Sequence, residues 1–308
     1  MKMGHKQSLL YVLNAGGPEP PGVCHLQPAA ADGPNITGFL VDELGRMEPA
    51  GSTQPIDPGP ASAPSGVSCT DSAAAGFHSL TGAPAADFQC GLNPPSFVRS
   101  PAQIGFTPDG NQLVVTVKGT NTIYVFPVDE DGNVSSPKIT QAPGPALPTY
   151  FGFTFSKQED LLMTETFGAA ASIPVSGTGA VSSFGINKAG NLLPVSSHIG
   201  DGGTAACWIA LEPIAGTYAY VSNSLSASIS SYTVSANGSV TLLNGIAASG
   251  AGPNDLATAQ ENGVSYLYVL DAGSGAVAAF RINRDGSLTA ITGGSGLPAG
   301  GAEGLAAF

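Results

Sequence analysis

Tyr218-Ala-Tyr-Val-Ser222, then Ile229-Ser-Ser-Tyr-Thr-Val234, then the turn Asn237-Gly238 is the stretch that decides the fold. It returns as Tyr266-Leu-Tyr-Val-Leu270, Val277-Ala-Ala-Phe-Arg-Ile282 and Asp285-Gly286. Each copy is a short apolar strand, a polar link, a second strand rich in β-branched and aromatic residues, and a tight turn on glycine. Asn-Gly and Asp-Gly favour the positive φ values of primed hairpin turns, so each turn should join two antiparallel strands. Turn glycines fall at Gly45, Gly132, Gly190, Gly238 and Gly286; the last two steps are 48 residues each, and the earlier ones are 58 and 87. A strand-only repeat of this length suits a four-stranded propeller blade, and the segments lack apolar residues at helical spacing. The expected fold is all-β, a β-propeller with about five four-stranded blades.

An inner segment precedes the first strand of each complete copy: PAQIGF at 101–106, PTYFGF at 148–153, ACWIAL at 206–211, PNDLAT at 253–258 and AEGLAA at 302–307. Small residues there let innermost strands crowd around a central channel. The first copy opens at Leu9–Asn14, the place of a second strand, while the tail Gly301–Phe308 reads as an inner strand whose blade never follows. Head and tail are therefore expected to latch, with Leu305 beside Leu9–Leu13, removing two exposed sheet edges.

The chain has 308 residues with 42 Gly, 25 Pro and 10% charged residues, a composition of short strands joined by tight turns. Blades do not fold alone, so one domain over 7–308 is expected, carrying a Pro-, Ala-, Ser- and Gly-rich insertion at 51–99. A net charge of −12 argues against nucleic acid, whose binding needs Lys and Arg at the phosphates. No run of 18 apolar residues offers a membrane-spanning helix. The apolar run Leu9–Leu13 is too short for a signal-peptide core, so the chain as written carries no export signal; a missing upstream segment would reverse that reading. Cys69 and Cys90 could close a loop inside the insertion, worth roughly 3 kcal/mol, or remain free thiols. No cysteine and histidine spacing suggests a metal, and no cofactor is expected.

Leu10-Tyr-Val-Leu-Asn-Ala-Gly-Gly17, Pro101-Ala-Gln-Ile-Gly-Phe-Thr-Pro-Asp-Gly110, Gly252-Pro-Asn-Asp-Leu256 and Tyr266-Leu-Tyr-Val-Leu-Asp-Ala-Gly273 resemble the lactonase-type seven-bladed propellers. That family includes 6-phosphogluconolactonase-like and fungal 3-carboxymuconate-cyclase-like proteins. The resemblance implies a small-molecule lactone or organic acid as partner, a monomer, and hydrolysis or isomerisation of a cyclic acid in the central channel. It also implies seven blades, so two would be absent on the N-terminal side, leaving either a five-bladed ring or an incomplete seven-bladed one.

The family places His and Arg on its inner strands. Here the matching positions hold Ala102-Gln103, Thr149-Tyr150, Cys207-Trp208, Asn254-Asp255 and Glu303-Gly304. Opening a lactone needs a base for water and a cation or donor for the oxyanion. Asp255 and Glu303 are the acid candidates in the channel, or else carboxylates that accept strand-end backbone N–H bonds. A second polar ring, Asn14, Lys118, Glu165, Asn223 and Asp271, ends the second strands; in it Glu165 could serve as base and Lys118 as electrophilic partner, or the two could form a structural ion pair. Gln103, Tyr150, Cys207, Trp208 and Asn254 are the substrate-binding candidates, with Trp208, Cys207 and Tyr150 as an aromatic floor for a flat ligand or as a wedge between blades. His198 is expected to face solvent in an outer loop. Loss of the His and Arg leaves a non-catalytic binding propeller, or a secreted surface protein built around the Cys-bearing insertion, as the alternatives.

Overall fold

The computed structural model describes residues 8–14, 34–56, 101–118, 120–141, 149–166, 176–298 and 304–307. Among them there are strands and turns and no helix. Five antiparallel sheets follow one another along the chain. Blade 1 has three strands, β1 (Ser8–Asn14), β2 (Asn35–Val41) and β3 (Met47–Pro55). Blade 2 is β4 (Pro101–Phe106), β5 (Gln112–Val117), β6 (Thr122–Pro127) and β7 (Lys138–Gln141). Blade 3 is β8 (Thr149–Phe155), β9 (Leu161–Thr166), β10 (Gly179–Ile186) and β11 (Leu192–Gly200). Blade 4 is β12 (Ala206–Leu211), β13 (Tyr218–Asn223), β14 (Ser228–Val234) and β15 (Val240–Ser249). Blade 5 is β16 (Pro253–Glu261), β17 (Val264–Asp271), β18 (Ala276–Ile282) and β19 (Leu288–Ser295). β3 takes up the first residues of the expected insertion, and Cys24, Cys69, Cys90 and Glu303 lie outside the described residues.

All five turn glycines have positive φ, between 76° and 81°. Asn237 and Asp285 do not, so the hairpins are not the expected primed turns. Gly238 N–H bonds Ser235 O and Ser235 N–H bonds Ser239 O, which is an ordinary turn closed by a left-handed glycine. The Asn237 side chain accepts the Ser239 N–H, fixing the turn without a positive φ of its own.

Core forms between blades, not within them. Tyr11 and Ile36 of blade 1 pack on Leu113, Val115 and Phe126 of blade 2; Val114 and Val125 pack on Tyr150, Leu161 and Met163 of blade 3. Leu162 and Val181 then meet Val221 and Tyr232, and Tyr220 and Ile229 meet Leu267, Val269 and Phe280. Alternation along each second strand thus serves two neighbours, one per face. Two tyrosines lock these joints: Tyr11 donates to Gly132 O at 2.5 Å and Tyr220 to Gly286 O at 2.9 Å, each reaching the turn glycine of the following blade.

The expected latch is absent among the described residues. β1 pairs with β2 alone, and Gly304–Ala307 belong to no sheet. Instead the Leu305 N–H is held by Asp255 of blade 5, and Gly304 has φ of 86°.

Candidate functional site

A hydroxyl near the end of each middle second strand aligns the inner strands. Thr116 Oγ1 accepts the Gln103 N–H at 3.2 Å and donates to Phe151 O at 2.7 Å. Thr164 Oγ1 accepts from Gly152 N at 3.0 Å and donates to Cys207 O at 2.7 Å. Ser222 Oγ accepts from Trp208 N at 3.1 Å and donates to Asn254 O at 2.5 Å. Gln103, Gly152 and Trp208 are therefore counterparts, and Phe151, Cys207 and Asn254 are the residues just before that position in their own strands.

This register corrects two readings. The segment 148–153 is displaced by two residues from its siblings: Tyr150 pairs with Glu165 as Pro101 does with Val117, Ala206 with Asn223 and Pro253 with Asp271. Tyr150 is consequently a core residue, edge-on to Phe184 at 6.4 Å and almost fully buried, and Phe151 takes the place beside Cys207. Likewise Val117, and not Lys118, is the counterpart of Glu165.

Lys118 and Glu165 do not form the expected pair. Lys118 Nζ lies 5.0 Å from the centre of the Phe151 ring, a cation–π distance. Glu165 is fully buried, and its Oε2 is hydrogen-bonded to His198 Nδ1. His198 belongs to β11 and not to a loop; its backbone is left-handed with φ of 54°, beside a bulge against β10, which aims the ring inward at Glu165. Its side chain is still 37% exposed, so solvent reaches it. Burial raises the Glu165 pKa, with the Ser182 hydroxyl and His198 opposing, and Oε1 has no hydrogen-bond partner.

The remaining candidates are held by the scaffold. Gln103 bridges blades 2 and 3, donating to Phe153 O at 3.0 Å and accepting from Phe153 N at 2.7 Å. Asp255 accepts the N–H groups of Leu305 at 2.6 Å and Leu256 at 2.7 Å, while burial raises its pKa. Cys207 is buried and receives the Ser224 hydroxyl at 3.1 Å; burial pushes its thiol up to about 11, against the pull of Ser224 and Lys118. Trp208 stands edge-on to Phe151 at 5.2 Å and keeps partial exposure, as do Asn254 and Ala102. The structure thus gathers Phe151, Cys207 and Trp208 into one cluster with Lys118 above the phenyl ring, and leaves Asp255 and Glu165 in separate bonds. A cavity of about 470 Å³ between blades 4 and 5, lined by Glu212, Tyr218 and Arg281 among others, contains none of these residues. Among the described residues no three His, Cys, Asp or Glu side chains gather to hold a metal, and no helix is long and apolar enough to cross a membrane.

Phe151 and His198 escaped the sequence reading. Aligning the hydroxyls Thr116, Thr164 and Ser222 before the inner strands would have found Phe151; nothing local marks His198.

Consecutive antiparallel sheets of this kind, four of them four-stranded, define a β-propeller fold. Residues 181–300 match the family model described as Lactonase, 7-bladed beta-propeller, so the resemblance expected from the sequence is borne out. Solved structures of similar fold include a candidate 6-phosphogluconolactonase from Bacteroides fragilis, at 20% identity and TM-score 0.57 over 86% of this chain and 65% of that one. A second, from Bacteroides uniformis, gives 18% and 0.57 over 86% and 66%, and a Lactobacillus plantarum protein 16% and 0.57 over the same shares. This chain therefore spans just under two thirds of the length of each, and at these identities the likeness is one of fold. No curated protein matches the chain.

Proposed function

We propose that this lactonase-type propeller binds a small lactone or cyclic carboxylic acid on the channel side of β8, β12 and β16, and does not turn it over through the channel carboxylate. The single observation carrying this reading is that Asp255 is occupied by the N–H groups of Leu256 in its own strand and Leu305 in the tail, and Gln103 by the backbone of Phe153 in blade 3, while Trp208 remains partly exposed beside Phe151. An aromatic edge offers apolar contact to a flat ring, and Lys118 adds positive potential beneath a carboxylate.

Trp208 is the sole tryptophan, so its fluorescence reports on this site alone. Titration with sugar lactones and their open acids should give saturable quenching, weakened by Asn254→Ala, without release of acid in a pH-stat assay. Turnover lost in Asp255→Asn would sink the reading. A second reading, hydrolysis, is favoured by the Glu165 and His198 pair, because a buried carboxylate on Nδ1 orients an imidazole to act as base. It requires turnover that survives Asp255→Asn and is lost in both His198→Asn and Glu165→Gln.

A further inference from the structure

The cavity of about 470 Å³ lies at a joint between two four-stranded blades. Its walls come from the β12–β13 turn, the β16–β17 turn, and the end of β18 with the turn after it. This is the opposite end of the second strands from Glu165, Asn223 and Asp271. Both blades fall within the continuous stretch 176–298, and Tyr218 and Tyr220 fasten them by donating to Arg284 O at 3.0 Å and Gly286 O at 2.9 Å.

The floor of the cavity carries one charge, and that charge is saturated. Glu212 is only 5% exposed, and each of its oxygens accepts two bonds. Oε1 takes the Ile214 N–H at 2.8 Å and the Ser265 hydroxyl, and Oε2 takes the N–H groups of Ala215 at 2.8 Å and Gly216 at 2.9 Å. Burial would raise its pKa, but the Ser265 hydroxyl and the three N–H groups outweigh that and hold the carboxyl below its ordinary value. Four bonds use all the lone-pair sites of a carboxylate, so Glu212 has none left for a ligand.

The rim is cationic. Arg281 and Arg284 both line the cavity and are exposed. Arg46, the other described arginine, pairs with Asp42 at 2.7 Å, whereas among the described residues Arg281 and Arg284 stand in no salt bridge. Asp285, next to Arg284, is turned onto its own loop, accepting the Ser287 N–H at 3.1 Å and hydroxyl at 2.7 Å. Two guanidinium groups against one saturated carboxylate leave the cavity net positive in a chain whose net charge is −12. Between floor and rim the lining is aliphatic, from Ile214, Ala215, Val264 and Ile282, and Ile214 is 45% exposed.

We propose that this cavity is a second binding site, separate from the channel-side cluster, for a small carboxylate with an aliphatic body. The alkyl chain lies on Ile214, Val264 and Ile282, and the carboxylate meets Arg284 with Arg281 beside it. A mostly apolar concavity with a few polar groups that fix orientation is the usual form of a small-molecule site, and the volume falls in that range. The planar guanidinium fork suits both oxygens of a carboxylate, where a neutral head group would leave it unmatched.

An amide NMR titration of the full chain with octanoate tests this. Saturable shifts are expected at Ile214, Ala215, Gly263, Val264 and Arg284, while the Trp208 indole N–H of the channel-side cluster stays in place. Octan-1-ol has the same chain length without the charge and should bind about tenfold more weakly. Arg284→Gln should weaken octanoate about three- to tenfold, and added salt should weaken it in the wild type. Absence of saturable shifts at these amides, equal affinity for octan-1-ol, or octanoate affinity unchanged in both Arg284→Gln and Arg281→Gln would each overturn the proposal. Quenching of Trp208 by lactones reports the other site, so either reading can fail without the other.

Discussion

Leu305 donates its N–H to Asp255 Oδ2 at 2.6 Å, the same relationship that Phe153 has to Gln103 Oε1 at 2.7 Å. In both cases an inner-strand side chain reaches the backbone 50 residues ahead. The tail therefore sits beside blade 5 as the inner strand of blade 3 sits beside blade 2, although no strand pairs with it. Asp255, read from the sequence as a channel acid, does in blade 5 what Gln103 does in blade 2.

Removing that acceptor should loosen the tail and leave the other joints intact. Asp255→Ala is expected to cost about 1–2 kcal/mol in urea unfolding, the worth of hydrogen bonds to a charged group at a partly exposed site. Asp255→Asn should cost less, since one carbonyl oxygen remains. Amide exchange at Leu305 should accelerate in the alanine variant, while exchange at Phe153 stays as it was. Equal acceleration at both would refute a local role.

The hydroxyls that align the inner strands are expected to matter more than their size suggests. Thr164→Val keeps the shape but leaves Cys207 O and the Gly152 N–H without their buried partner, so it should cost about 1–3 kcal/mol. Thr116→Val and Ser222→Ala should behave alike, each at its own joint. Denaturant midpoints for the three variants check this, and a neutral Thr164→Val would show that the hydroxyl is replaceable by water.

Much of the fold was legible because turn glycines and strand composition are local signals. Gly45 through Gly286 mark five hairpins, and the inner strands at Pro101, Ala206 and Pro253 lie as expected. The errors arose where non-local contacts decide. The two-residue displacement of the segment 148–153 is invisible to an alignment by residue type, and it moved Tyr150 from channel to core. Lys118 stood one residue beyond the true counterpart of Glu165. His198 looked like loop because its strand carries Pro194 and solvent-facing residues, yet a left-handed backbone turns it onto a carboxylate on another strand. Chemistry in a propeller is assembled across strands, and that step cannot be read from spacing alone.

The Glu165 and His198 pair should reveal itself through pH. Burial raises the folded-state pKa of Glu165 above its ordinary value, so its favourable contribution is complete below the unfolded carboxyl pKa and is lost as pH rises through the folded one. Glu165→Gln removes this loss while keeping the shape. The stability difference should therefore shift in favour of the variant as pH rises from about 4 towards neutrality. A difference independent of pH, followed by urea unfolding at several pH values, would mean that the carboxyl titrates as it does in the unfolded chain. At neutral pH His198→Ala should cost about 3 kcal/mol, because it strips the partner from a buried acid that already has one oxygen without a hydrogen bond.

Cys207 tests the electrostatics of the inner cluster most directly. A thiol reacts as the thiolate, and here burial pushes its pKa up to about 11 although Lys118 and Ser224 both pull it down. At pH 8 the thiolate fraction is on the order of a thousandth, and the side chain is nearly inaccessible besides. Iodoacetamide at that pH should leave Cys207 unmodified in the folded protein and alkylate it promptly in urea, as peptide mass spectrometry would record. Adding Ser224→Ala removes the hydrogen bond that stabilises the thiolate, so native reactivity should fall further and not rise. Rapid labelling of native Cys207 would show that the cluster opens to solvent, and that the cation above Phe151 governs the sulfur more strongly than burial does.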